Sequence, residues 1–120
     1  MTENTGVSDD TAAVRAQRIL AQVRAIAPGT VAGYGEVARR AGLPGRARLV
    51  AAVLSANADP SLPWHRVLRS DGRIAFPQGS PGWHEQLQRL RAEGVRVEAG
   101  RVRGQAAKAD LDDHVWGPGG

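Results

Sequence analysis

The chain has 120 residues, enough for one hydrophobic core and too few for two. It contains no cysteine, which excludes disulfides, thiolate nucleophiles and cysteine-ligated zinc, and no run of residues approaches the roughly 18 consecutive apolar positions of a membrane span. The net charge of +4 understates its polarity: residues 11–109 carry all sixteen bases against six acids, a net of +10 that favours a polyanionic partner.

Residues 1–10, MTENTGVSDD, are polar and lack the basic and apolar regions of a signal peptide, so a disordered segment and a cytoplasmic protein are expected. Asp9 or Asp10 is placed to cap a helix whose apolar stripe runs Ala16, Ile19, Leu20, Val23, Ile26, and Pro28-Gly29 ends it. A short second helix is predicted from about Tyr34 to Ala41. The turn Gly42-Leu43-Pro44-Gly45 leads into a third helix from about Arg46 to Asn57, completing a helix-turn-helix outline.

Leu49, Val50, Val53 and Leu54 form the core stripe of the third helix, and Arg48, Ala51, Ala52 and Ser55 the opposite side. Such a small-residue face suits close contact with another surface, although an alanine-rich exposed helix would look the same. After Pro63, the run His65 to Arg69, the turn Ser70-Asp71-Gly72 and the run Arg73 to Phe76 predict a β-hairpin. Ser80 and Pro81 open a fourth helix with Trp83, Leu87 and Leu90 on one face, and Gly94 stops it. Val95, Val97 and Val102 predict short strands, and Val115-Trp116 precede a flexible end. The predicted organisation is one domain over residues 11–116 with a tail at 117–120. His65, His84 and His114 are far apart and lack metal-ligand spacing, so no metal is expected.

Pro63-Trp64-His65-Arg66-Val67 resembles the PCHRV motif of the O6-alkylguanine-DNA alkyltransferases, with tryptophan where the acceptor cysteine belongs. That is the pattern of the alkyltransferase-like proteins. Gly33-Tyr34-Gly35-Glu36-Val37-Ala38 resembles the family's TYGE segment, and Ala47-Arg48-Leu49-Val50 its recognition helix. Asn57 matches the hinge asparagine, and Glu93-Gly94 the glutamate that closes the histidine relay.

The resemblance implies an α+β domain with a winged helix-turn-helix core. It enters the DNA minor groove, flips O6-alkylguanine and holds it in a pocket. On that basis Tyr34, Ala47, Arg48, Ala51 and Ser55 contact DNA: Tyr34 rotates the phosphate, and Arg48 fills the space the base leaves. Tyr34, Asn57, Pro63, Trp64, His65, Val67 and Phe76 form the lesion pocket. Trp64 is weighed between a pocket role and core filling. The His65 and Glu93 pair remains as structure, His65 being read as a buried, satisfied histidine, and Arg66 ties down the pocket loop.

An indole is no substitute for a thiolate, so alkyl transfer is not expected. Phe76-Pro77-Gln78-Gly79 departs from the tyrosine and serine with which the alkyltransferases close their pocket, which implies an enlarged apolar site. The expected partners are double-stranded DNA containing O6-alkylguanine and nucleotide excision repair proteins such as UvrA. No cofactor is implied, and a monomer is expected. The rivals are a lesion glycosylase acting through Glu93 or another acid near the pocket, and a winged-helix transcription regulator.

Overall fold

The computed structural model describes residues 11–103. The expectations for Val115-Trp116 and both termini lie outside them. In chain order the elements are α1 (Ala12–Arg24), β1 (Ala32–Gly33), α2 (Tyr34–Arg40), α3 (Ala47–Ala56), a single 3-10 turn (Trp64–Arg66), β2 (Val67–Leu68), α4 (Pro81–Ala92), β3 (Arg96–Glu98) and β4 (Arg101–Arg103). Helices and two small sheets make the expected α+β domain.

Local chemistry sets at least one end of α1, α2 and α4. Thr11 caps α1: its backbone is extended and its hydroxyl accepts from the Val14 amide at 3.1 Å. The helix therefore starts beyond Asp9 and Asp10, and the predicted cap moves to Thr11. Ser80 caps α4 in the same way through the Trp83 amide, with Pro81 at the first helical position. α2 ends in a left-handed Gly42 (φ 78°), where the Leu43 amide donates to the Ala38 carbonyl at 2.8 Å and the Gly42 amide to Arg39 at 3.0 Å. A side chain at Gly42 would also collide with the Arg18 guanidinium, which donates to the Ala41 carbonyl. α4 ends with the same pattern around Gly94, and this places Glu93 at the last position before the turn.

β1 and β2 pair in parallel, Ala32 with Val67 and Gly33 with Leu68, and this short ladder divides the core in two. Side chains alternate across a strand. Ala32 and Val67 face a cluster with Ile19, Val23, Val37, Ala38, Val50 and Leu62. Val31 and Leu68 face the other, with Ile74, Leu90, Val95, Val97 and Val102. The helix-turn-helix thus hangs from one side of the ladder, and α4 with the β3–β4 pair from the other.

The predicted hairpin from His65 to Phe76 does not form. His65 and Arg66 lie in the 3-10 turn, and β2 pairs with β1 instead of with the segment after the turn. The turn itself is present, closed by the Arg69 amide on the Arg73 carbonyl at 3.0 Å and by Gly72 on Arg69 at 2.8 Å. Beyond it the chain joins the wing, the β3–β4 pair: the Ile74 amide donates to Gly100 and the Val102 amide to Gly72. Both halves of the segment satisfy their backbone groups with partners distant in sequence.

Candidate nucleic-acid interface and its pocket

A cavity of about 620 Å³ opens between the helix-turn-helix and α4. Tyr34 of α2 lines it, together with Ala51, Leu54 and Ser55 of α3, the loop from Asn57 to Pro60, Trp64 and Val67, Ala75 and Phe76, and Gln86 of α4. Of the seven residues assigned to a pocket from sequence, Tyr34, Asn57, Trp64, Val67 and Phe76 line this cavity. Pro63 and His65 do not. The 3-10 turn rotates successive side chains, so Trp64 reaches the cavity while His65 turns into the protein, 6% exposed.

Trp64 has two aromatic neighbours at near-right angles and a cation over its ring. The Phe76 ring lies 5.8 Å away at 84°, the His65 ring 6.1 Å away at 89°, and the Arg89 guanidinium 5.5 Å from the indole centroid. Edge-to-face pairs and a cation over the ring each favour one orientation of the indole. Phe76 is 40% exposed at the rim and packs on Gly82, where any side chain would come within 2.7 Å of the ring. The Phe76 to Gly82 loop is therefore anchored at both ends rather than open.

Behind Trp64 sits a charged cluster. The His65 Nε2 lies 2.9 Å from Glu93, and Arg66 donates to the same carboxylate at 2.6 Å and to the Ile26 carbonyl at 2.8 Å. The Gly29 amide adds a further bond at 3.1 Å. Arg66 first, then His65 and Gly29, outweigh burial and hold the Glu93 pKa down to about 2. A carboxylate only accepts, so the His65 Nε2 carries the proton toward it. His65 is thus satisfied at Nε2 alone, and its buried Nδ1 has no partner among the described residues. Arg66 acts as the tie to the pocket segment and makes no part of the cavity wall.

Gln86 carries a role that the sequence did not disclose. Fully buried on α4, its amide donates to the His65 carbonyl at 2.9 Å and to the Val67 carbonyl at 2.8 Å, and accepts from the Ala75 amide at 3.2 Å. It joins the floor of the cavity to its rim. In sequence a glutamine among Glu85, Gln88 and Arg89 reads as solvent-facing. Only its place one position before Leu87, on the stripe side, hinted otherwise.

The small-residue side of α3 continues into the cavity. Ala47, Ala51 and Ser55 are spaced by four and form one row, of which Ala51 and Ser55 line the cavity and Ala47 is half-buried beyond it. Arg48 is exposed in the first turn of α3. Tyr34 is half-buried, and burial raises its pKa, so the phenol is a neutral hydrogen-bond donor at the rim. Asn57 ends α3 and closes the next turn through the Asp59 amide and carbonyl. Asp59, also at the rim, is kept ionised by Ser61 and then Arg24.

Residues 15–95 match the protein family described as the 6-O-methylguanine DNA methyltransferase DNA-binding domain. The chain belongs to the O6-alkylguanine-DNA alkyltransferase family. Within it the alkyltransferase-like proteins are close relatives. The chain is 36% identical to alkyltransferase-like protein 1 of Schizosaccharomyces pombe over 91 residues, 75% of this chain and 82% of that one. It is 40% identical to the DNA base-flipping protein of Escherichia coli over 101 residues, 83% and 72% of the two chains. The crystal structure of S. pombe Atl1 with damaged DNA containing O6-carboxymethylguanine superposes with a TM-score of 0.69 at 31% identity, over 80% of this chain and 93% of that one. In this alkyltransferase-like chain the histidine and glutamate of the motifs stay paired behind the cavity while an indole lines it at the acceptor position.

Proposed function

We propose that this protein is a non-enzymatic DNA-damage binding protein that flips O6-alkylguanine out of duplex DNA, holds it unaltered and directs it to nucleotide excision repair through proteins such as UvrA. The observation that carries the reading is Trp64: it lines the cavity directly in front of the His65 and Glu93 pair, where alkyl transfer would need a thiolate. With no cysteine anywhere in the chain, no other residue takes that role. An indole instead offers a face and an edge against which a base packs, worth about 1–3 kcal/mol per base.

The route to the cavity supports the same reading. The minor groove is only about 6 Å wide, and the Ala47, Ala51, Ser55 row lets α3 approach it closely. Because Ala51 and Ser55 are also cavity wall, a nucleotide leaving the stack against α3 meets the cavity at once. Arg48, free of any partner among the described residues, fills the gap and Tyr34 donates to the turned phosphate. About 620 Å³ suits a base with a substituent, within the roughly 300–1,000 Å³ of small-molecule sites.

The test compares duplexes of identical sequence with and without one O6-alkylguanine. Preferential binding of the lesion duplex, with protein and DNA masses unchanged after incubation, is the expected result. A permanent gain of the alkyl mass by the protein would overturn it in favour of transfer, and release of a free base would establish a glycosylase. Equal affinity for both duplexes with preference for a defined sequence would establish a transcription regulator. For the repair step, UvrA is expected to bind the lesion duplex more tightly when this protein is present, and unchanged UvrA affinity would remove that part of the proposal.

A further inference from the structure

Among the described residues, Arg46, Arg48 and Arg69 are the exposed arginines whose side chains make no hydrogen bond, ion pair or ring contact. The other exposed arginines engage a carboxylate or, for Arg91, the Val97 carbonyl. Arg46 and Arg48 begin α3, the helix already placed against DNA. Arg69 lies on a different segment, immediately after β2, and nothing in the sequence motifs singles it out.

Its position follows from the parallel ladder. Gly33 pairs with Leu68 on the last rung, and the two segments leave the ladder together, which brings Arg69 near Tyr34 and Ser70 near Gly35. The second of these is visible directly: a Cβ on Gly35 would lie 3.5 Å from the Ser70 hydroxyl. The Arg69 charge also reaches the Tyr34 phenol, opposing the larger effect of burial on it. The Arg69 backbone is held at both ends of its turn, by its own amide on Arg73 and by Gly72 on its carbonyl, so the side chain projects from a fixed point.

We infer that Arg69 is a phosphate-binding residue of the lesion site, gripping the DNA backbone next to the flipped nucleotide on the Tyr34 side of the cavity. The inference rests on the base-flipping reading above. An exposed guanidinium with all its donors unused matches a phosphate in charge and geometry. A neutral phenol beside it adds a hydrogen bond without repelling the anion. An arginine already paired to a carboxylate would have to give up that partner first, which sets Arg69 apart from Arg73 and its neighbour Asp71 in the same turn.

The experiment measures lesion-duplex affinity against salt for the wild type, Arg69→Ala, Arg69→Lys and Arg96→Ala, the last removing a Glu98-paired charge from the wing. Arg69→Ala is expected to lower the log-log salt slope by about 0.9, the value of one phosphate contact, while Arg69→Lys and Arg96→Ala keep the wild-type slope. A second arm replaces one phosphate flanking the lesion, on either side in turn, with a neutral methylphosphonate. At one of the two positions this should weaken the wild type but not Arg69→Ala, the signature of coupled partners. A wild-type slope in Arg69→Ala, an equal loss in Arg96→Ala, or additive losses at both phosphates would overturn the assignment while leaving base flipping intact. A wild type with no lesion preference would remove both together.

Discussion

Glu93 shows how much one side chain organises. Its carboxylate accepts from His65, Arg66 and the Gly29 amide, tying the 3-10 turn, the end of α4 and the segment after α1 together. Its folded pKa of about 2 lies below the ordinary 4.5, so the stability it contributes is complete above pH 4.5 and is lost as pH falls toward 2. Acid unfolding of the wild type should steepen in that window, and Glu93→Gln should flatten the window and unfold at lower urea concentration at pH 7. Equal urea midpoints at pH 7 would show that the cluster contributes no net stability. Arg48→Ala tests a different kind of residue, one with no partner among the described residues. It should weaken lesion binding by about tenfold, at the cost of about 1–3 kcal/mol, and should lower the emission of a fluorescent base analogue at the target. Arg96→Ala, which removes the same charge from the wing, is expected to leave both unchanged.

Helix positions were legible in the sequence because their signals are local: apolar stripes in α1, α3 and α4, a hydroxyl at the start of α4, and glycines after α2 and α4. The helix-turn-helix and α4 are found within a residue or two of where those signals put them. The strand pairing was not legible. Val67-Leu68 alternates like half of a hairpin, yet its partner is Ala32-Gly33, some thirty-five positions earlier, and no short-range pattern encodes a parallel ladder. Gln86 was missed for a related reason, since its burial depends on carbonyls of another segment. The PWHRV motif put Trp64 at the pocket but could not show which way His65 turns. The α3 row offers a test of the interface at this scale. Ala51→Leu keeps good helix propensity, so the melting temperature should stay within a few degrees while affinity for DNA falls. Unchanged affinity would return α3 to the reading of an ordinary alanine-rich helix.

Across the whole domain, the charge is sorted. Most exposed arginines are neutralised in place, and those with no partner among the described residues, Arg46, Arg48 and Arg69, lie at the start of α3 and beside Tyr34. Undamaged DNA should therefore bind with a steep salt dependence, about 0.9 in log-log slope for each phosphate engaged, and a flat response would count against DNA altogether. The two-sided ladder has a consequence of another kind. Both core clusters share β1 and β2, so neither half can open without stripping that ladder from the other. The domain is built to lose its structure in one step, and the ladder amides between Ala32 and Leu68 should trade their protons with solvent only at the rate set by complete unfolding.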